Sequence, residues 1–250
     1  MEWLAAALHI EGLPLLIVAV FMAGIVRGFS GFGTAMVFIP LAVLVATPVH
    51  AILMVMSFDL IGPLVLLPRA LREGEPRDVS KLALGAILGL PVGVYFLTRL
   101  DPIMFRWLVS ILALSLLVIM GMGWRYRQVL STFATALVGA LSGVLGGVAA
   151  LPGPPVILSY MSSPRAPQTV RANILLYLLL FDFLAFGVFA LNGLLEVEPL
   201  LIGVFLAVPY GIAGLIGQWI FNPDNEKTYR RVAYVLIAAS AISGLPVVSG

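Results

Sequence analysis

Two apolar stretches too long for one membrane crossing constrain this chain more than any other feature. Segments 13–46 and 129–161 each run past 30 residues with almost no charge. As continuous helix each would reach about 45–50 Å, against a hydrocarbon core of about 30 Å. Each carries a glycine cluster, GFSGFG at 28–33 and SGVLGG at 142–147, the latter followed by LPGPP at 151–155. Six further apolar segments, 50–68, 82–98, 103–123, 172–191, 200–221 and 232–248, have lengths near the ~20 residues of a single span. With 61% hydrophobic and only 10% charged residues the chain cannot build a water-facing surface. No segment alternates polar and apolar residues over ten positions, so the spans are helices and not barrel strands. A soluble enzyme, a DNA-binding module and a disordered tail are excluded.

Cysteine is absent, which rules out disulfides, thiolate metal sites and a cysteine nucleophile. Two histidines, His9 and His50, are too few for a histidine-rich metal site, and no cofactor is expected. The net charge of +2 is spread over many loops, so it speaks to orientation and not to nucleic acid. The opening MEWLAAALHIEG lacks the basic region of a signal peptide, and the first apolar segment is read as part of the mature protein.

Charge decides what the overlong segments do. If each crossed once, six Lys and Arg residues would face seven, against the expected cytoplasmic excess. If each instead enters and leaves on one side, Arg69, Arg72, Arg77, Lys81, Arg125, Arg127, Arg165, Arg171, Lys227, Arg230 and Arg231 share the cytoplasmic face. The opposite face then holds Arg99 and Arg106 with Glu2, Glu11, Asp101, Glu196 and Glu198. The second arrangement is expected, with both termini periplasmic in a bacterial inner membrane.

The halves also repeat. Gly24, Gly28, Gly31 and Pro40 match Gly139, Gly143, Gly146 and Pro155 at an offset of 115, and Gly85, Pro91 and Gly93 match Gly203, Pro209 and Gly211 at 118. Asp59 and Asp182 each follow a Phe within the next span. One hairpin plus three crossings per half inverts the second half relative to the first. The expected fold is an all-α polytopic membrane protein of two inverted-topology repeats, 1–124 and 125–250. Each repeat is a broken or re-entrant helix hairpin with three transmembrane helices, within one integral-membrane domain. Broken helices of this kind meet near the midplane in secondary transporters, where half-helix ends face substrate.

Unwound backbone survives in a bilayer only where protein buries it or a wet cavity solvates it. A half-helix amino terminus offers free N–H groups and about half a positive charge, which suits an anion. Glycine repeats in membrane helices are also packing faces, and that alternative stands beside the cavity reading. Arg27 lies within the first overlong segment, next to the break. It is a cavity-facing candidate, a snorkelling side chain or the partner of a buried carboxylate such as Asp59. Ser30 and Thr34 can donate hydroxyls to an oxyanion, and the backbone around Gly28, Gly31, Gly33, Gly143, Gly146 and Gly147 can donate amides. Asn173 and Gln218 are path-lining candidates or helix–helix hydrogen-bonding groups. Asp59 and Asp182 suit either a coupling proton, since burial raises a carboxyl pKa, or structural pairing.

RGFSGFGTAMVFIPL (27–41) and SGVLGGVAALPGPPVIL (142–158) resemble the repeated glycine-rich segments of the TauE/SafE family of sulfite and organosulfonate transporters. The resemblance extends over essentially the whole chain. It implies movement of small anions, often sulfur-containing (sulfite, a sulfonate or a related anion), across the cytoplasmic membrane. The inverted halves suggest alternating access as the mechanism, a proton or sodium ion is the candidate coupling partner, and no enzymatic activity is expected. Homodimerisation through glycine-lined faces is compatible with it. Two other functions compete: a passive anion channel, and an intramembrane serine protease built on GFSG with Ser30 as nucleophile and His50 as base. The hairpin expectation has a direct check. Single cysteines placed at Gly12 and Thr47 of this cysteine-free chain should label from the same face of intact cells.

Overall fold

The computed structural model describes residues 12–122, 130–160, 165–222 and 225–248. The candidates His9, Glu2, Glu11, Arg125 and Arg127 lie outside them. Among the described residues there are eleven helices. They are α1 Leu13–Ser30, α2 Thr34–Ala42, α3 Pro48–Asp59, α4 Ile61–Glu73, α5 Pro76–Leu97, α6 Pro102–Gly121, α7 Thr132–Ala149, α8 Gly153–Tyr160, α9 Pro167–Leu191, α10 Val197–Ile220 and α11 Glu226–Gly244. Six of them, α1, α5, α6, α7, α9 and α10, are long and apolar enough to cross a membrane.

Local chemistry sets the boundaries. Proline opens α5, α6 and α9, where its missing N–H costs nothing. The Asp101 carboxylate accepts from the Met104 amide at the start of α6, and the Ser131 hydroxyl accepts from the Ala134 amide at the start of α7. Both overlong segments break, as expected. The first breaks at Gly31–Gly33, inside the GFSGFG cluster. The second breaks at Ala150–Pro152, one turn after SGVLGG, which is helical. Each first half is 18 residues, as long as a span by itself. Two further boundaries differ from the sequence expectation. Segment 50–68 is two short helices meeting at Leu60, because Pro63 supplies no amide to the Asp59 carbonyl and its ring crowds it. The last segment begins earlier, at Glu226, with a charged first turn.

The helices form two compact units, each drawing on both halves of the sequence. Unit 1 comprises Met1–Asp59, Leu100–Gly121 and Glu196–Gly250, and unit 2 comprises Leu60–Arg99 and Met122–Leu195. In unit 2, α5 and α7 make the most extensive pairing, through glycines on both sides. Gly85, Gly89 and Gly93 recur every fourth residue along α5, so they share a face. A Cβ on each would strike the carbonyl of Ala136, Ala140 or Val144 respectively. Facing them, a Cβ on Gly143 would lie 2.8 Å from the Leu90 nitrogen, and one on Gly147 2.6 Å from the Leu90 oxygen. Leu84 and Leu88 of the same α5 point outward, Leu88 with 73% of its surface exposed. Small residues inward and large apolar residues outward is the pattern of a helix between protein and lipid.

Unit 1 repeats the device with α1 against α10. Gly24 would place a Cβ 2.6 Å from the Tyr210 oxygen, and Gly28 one 2.9 Å from the Gly217 Cα. Helix α2 is buried along its whole length, covered by α1, α3, α6 and α11. In lipid no hydrophobic effect pulls helices together, so this backbone contact and its dispersion energy carry the association. Replacing Gly89 by Ala should therefore lower the thermal unfolding midpoint, overpacking costing about 1–3 kcal/mol. The same change at Gly187, around which a Cβ would meet nothing within 4 Å, should leave it unchanged or raise it.

Candidate functional site

The break between α1 and α2 collects the polar chemistry of unit 1. Helix α1 ends at Gly31, whose φ of 77° admits glycine, and whose amide bonds the Arg27 carbonyl at 2.9 Å. Gly33 follows at φ 96° and precedes α2. Arg27 thus lies in the last turn of α1, where its charge offsets the negative helix end. No side chain caps α2, so the first amides of Thr34, Ala35 and Met36 have no acceptor within the helix. A Cβ on Gly31 would meet nothing within 4 Å, leaving open space at the turn.

A chain of three side chains runs from this break. Thr34, only 3% exposed, has its Oγ1 2.9 Å from the Tyr210 hydroxyl. That hydroxyl lies 2.5 Å from the Asp59 Oδ1. The Arg27 charge acts electrostatically on the same hydroxyl. Packing delivers each member. Gly24 lets α10 approach α1 at Tyr210, Gly203 sets α10 against Met54 and Ser57 of α3, and the Tyr210 ring packs tilted against Phe58, which meets Phe38 edge-on.

The other predicted residues have different surroundings. The Ser30 hydroxyl lies 2.6 Å from the Val26 carbonyl and 2.8 Å from the Phe32 carbonyl, and accepts from the Phe32 amide. His50 places its Nε2 3.0 Å from a Glu196 carboxylate oxygen. Both groups are thus engaged in local contacts other than a Ser–His pair. Gly28, Gly143 and Gly147 lie on helix-packing faces, and the Gly146 Cα faces the Phe181 ring. Gln218 is exposed near the end of α10.

In unit 2 the second break is held by neutral groups. Tyr177 donates to the Ser142 hydroxyl at 2.7 Å, and Ser142 donates to the Pro152 carbonyl. Ser142 is the residue that the 115 offset aligns with Arg27. Asp182 is half-buried in the middle of α9. Asn173, fully buried, accepts from the Glu75 amide at 2.6 Å and donates to the Tyr160 hydroxyl at 3.3 Å. Beside it Arg165 binds Glu75 at 2.8 Å and also Asp78, which Lys81 approaches at 3.1 Å. The bond to Glu75 raises the Arg165 pKa further, so that side of the cluster stays charged. A cleft of about 190 Å³ between α4 and α9, lined by Arg69, Glu73, Gln168 and Arg171, holds none of the predicted site residues.

Sequence reasoning missed Tyr210 and Tyr177, because one tyrosine in an apolar span reads as core or interface. The sequence carried one signal: Tyr210 directly follows the repeat-matched Pro209. The amide of Asn173 spans three elements, and Asn173→Leu should cost about 1–3 kcal/mol in unfolding free energy by stranding the Glu75 amide. A chemical-denaturation midpoint would register it.

No curated protein and no solved structure matches the chain. The model of the sulfite exporter TauE/SafE family matches residues 16–244. That span covers nearly the whole sequence and includes both helix breaks and every member of the Arg27–Thr34–Tyr210–Asp59 group. The chain therefore belongs to the TauE/SafE sulfite exporter family, a family of membrane transporters and not of enzymes.

Proposed function

We propose that this protein moves a small, sulfur-containing anion, sulfite or a sulfonate, across the membrane by alternating access, and that the anion is held at the α1–α2 break. The observation that carries this reading is the pairing of opposite helix ends at one glycine turn. Arg27 supplies a full positive charge, α2 presents its uncapped amides, and Thr34 adds a buried hydroxyl. Tetrahedral and pyramidal oxyanions accept several hydrogen bonds at once, which suits such a convergence. Gly31 and Gly33 shape the turn so that backbone can approach the ligand. Asp59, tied to the group through Tyr210, is the proposed proton carrier.

Inverted repeats suit this cycle, and the helix pairings support them. The first helix of one half, α1, packs on α10 of the other, while α7 packs on α5 of the first half. Those are reciprocal exchanges between positions related by the 115 and 118 offsets. Transport that saturates and follows a pH gradient is the behaviour expected, and it distinguishes a carrier from a passive pore.

Arg27→Ala should insert normally yet lose at least about tenfold in uptake of sulfite into proteoliposomes, since a charged hydrogen bond is worth roughly 1.5–3 kcal/mol. Arg27→Lys should retain part of the rate. Wild-type uptake by Arg27→Ala would remove the arginine from the site.

A further inference from the structure

We propose that Tyr210 is a switch that converts protonation of Asp59 into a hydrogen-bond donor for the anion at Thr34. The inference rests on the anion site proposed above. It follows from counting protons along three oxygen atoms. Thr34 Oγ1, Tyr210 Oη and Asp59 Oδ1 lie in series, with spacings of 2.9 and 2.5 Å. Each hydroxyl has a single proton, and an ionised carboxylate has none.

With Asp59 ionised, one arrangement satisfies the series. Tyr210 donates to the carboxylate and Thr34 donates to Tyr210. Thr34 then turns only lone pairs toward the break, which repel an oxyanion. When Asp59 takes up a proton, the order reverses. The carboxyl O–H donates to Tyr210, Tyr210 donates to Thr34, and the Thr34 proton is released toward the α2 amino terminus. The only bond formed is the Asp59 O–H, from a solvent proton; the two hydroxyls rotate without breaking a bond. Neutralising Asp59 also removes a negative charge from the neighbourhood of Arg27.

Asp59 is the carboxylate hydrogen-bonded in this series. Helix α3 packs against α10 and α2. Helix α10 contributes Tyr210, with Glu198 three turns away at its other end, and α2 has no ionisable side chain. Beside Asp59 itself, Arg27 of α1 also acts electrostatically on the Tyr210 hydroxyl. Thr34 and Tyr210 are thus the path by which the carboxyl group and the anion sense each other. Proton and anion then bind together and move in the same direction.

Methanesulfonate, which does not titrate in the working range, is the probe for the test. Binding to the purified full chain is measured between about pH 5 and pH 8, beside infrared difference spectra of anion addition. Wild type should weaken by up to about tenfold per pH unit, the slope of one linked proton. Its spectrum should gain a protonated-carboxyl band. Asp59→Asn should bind with no slope and no band. Tyr210→Phe and Thr34→Val should flatten the slope, and Thr34→Ser should restore it. A wild-type slope in Tyr210→Phe, or wild-type binding without the carboxyl band, would overturn the switch while leaving the anion site standing. Wild-type methanesulfonate binding by Arg27→Ala, by contrast, would remove the site itself.

Discussion

Close contact between glycine-lined helix backbones is the interaction on which the rest of this protein depends. A chain in lipid gains little by burying leucine, because lipid is as apolar as the protein core. Stability must come from surfaces that fit more tightly than lipid can. The Gly85–Gly89–Gly93 face of α5 against α7, and Gly24 and Gly28 of α1 against α10, meet that requirement. Their carbonyls lie where a Cβ would otherwise stand, so the contacts also fix helix register. Register then has a chemical consequence, since the contact at Gly24 is with the backbone of Tyr210 itself.

The two helix breaks, alike in length pattern, carry unequal chemistry. Both follow an 18-residue helix and precede a short one. The first is surrounded by Arg27, Thr34, Tyr210 and Asp59. The second is tied by Ser142 and Tyr177 to the Pro152 carbonyl. A hydroxyl on a stranded carbonyl satisfies the backbone in lipid, which is a structural need common to any break. A guanidinium and a carboxylate at the other break exceed that need. Their desolvation costs stability, and a function that moves charge offers a reason to keep them.

Much of the fold was legible in composition and punctuation. Apolar run lengths located the helices, and the two overlong runs were read correctly as broken. The glycine clusters misled in detail. Gly31 and Gly33 make a turn, whereas Gly143, Gly146 and Gly147 stay helical and pack. Spacing of three or four residues suits both roles, and only positive φ separates them. Leu60 was missed because the proline that ends α3 lies three residues further on. Asn173 was legible as a polar residue near a span end, but not as the link from α9 to the Glu75 amide and Tyr160.

The amino-acid sequence by itself determined that this is a helical membrane protein with two interrupted segments, since so apolar a chain lies in lipid, where backbone must be satisfied within helices or a closed barrel, and no segment alternates as barrel strands do. It also marked Arg27, Thr34 and Asp59, because ionisable and hydroxyl groups are costly and therefore conspicuous in apolar spans. Tertiary structure alone decided that Tyr210 joins Thr34 to Asp59 across 176 and 151 residues of chain. It also decided which glycines turn and which pack. Those outcomes depend on which helix faces meet, and a face-to-face fit is a property of two surfaces together that neither segment's periodicity contains.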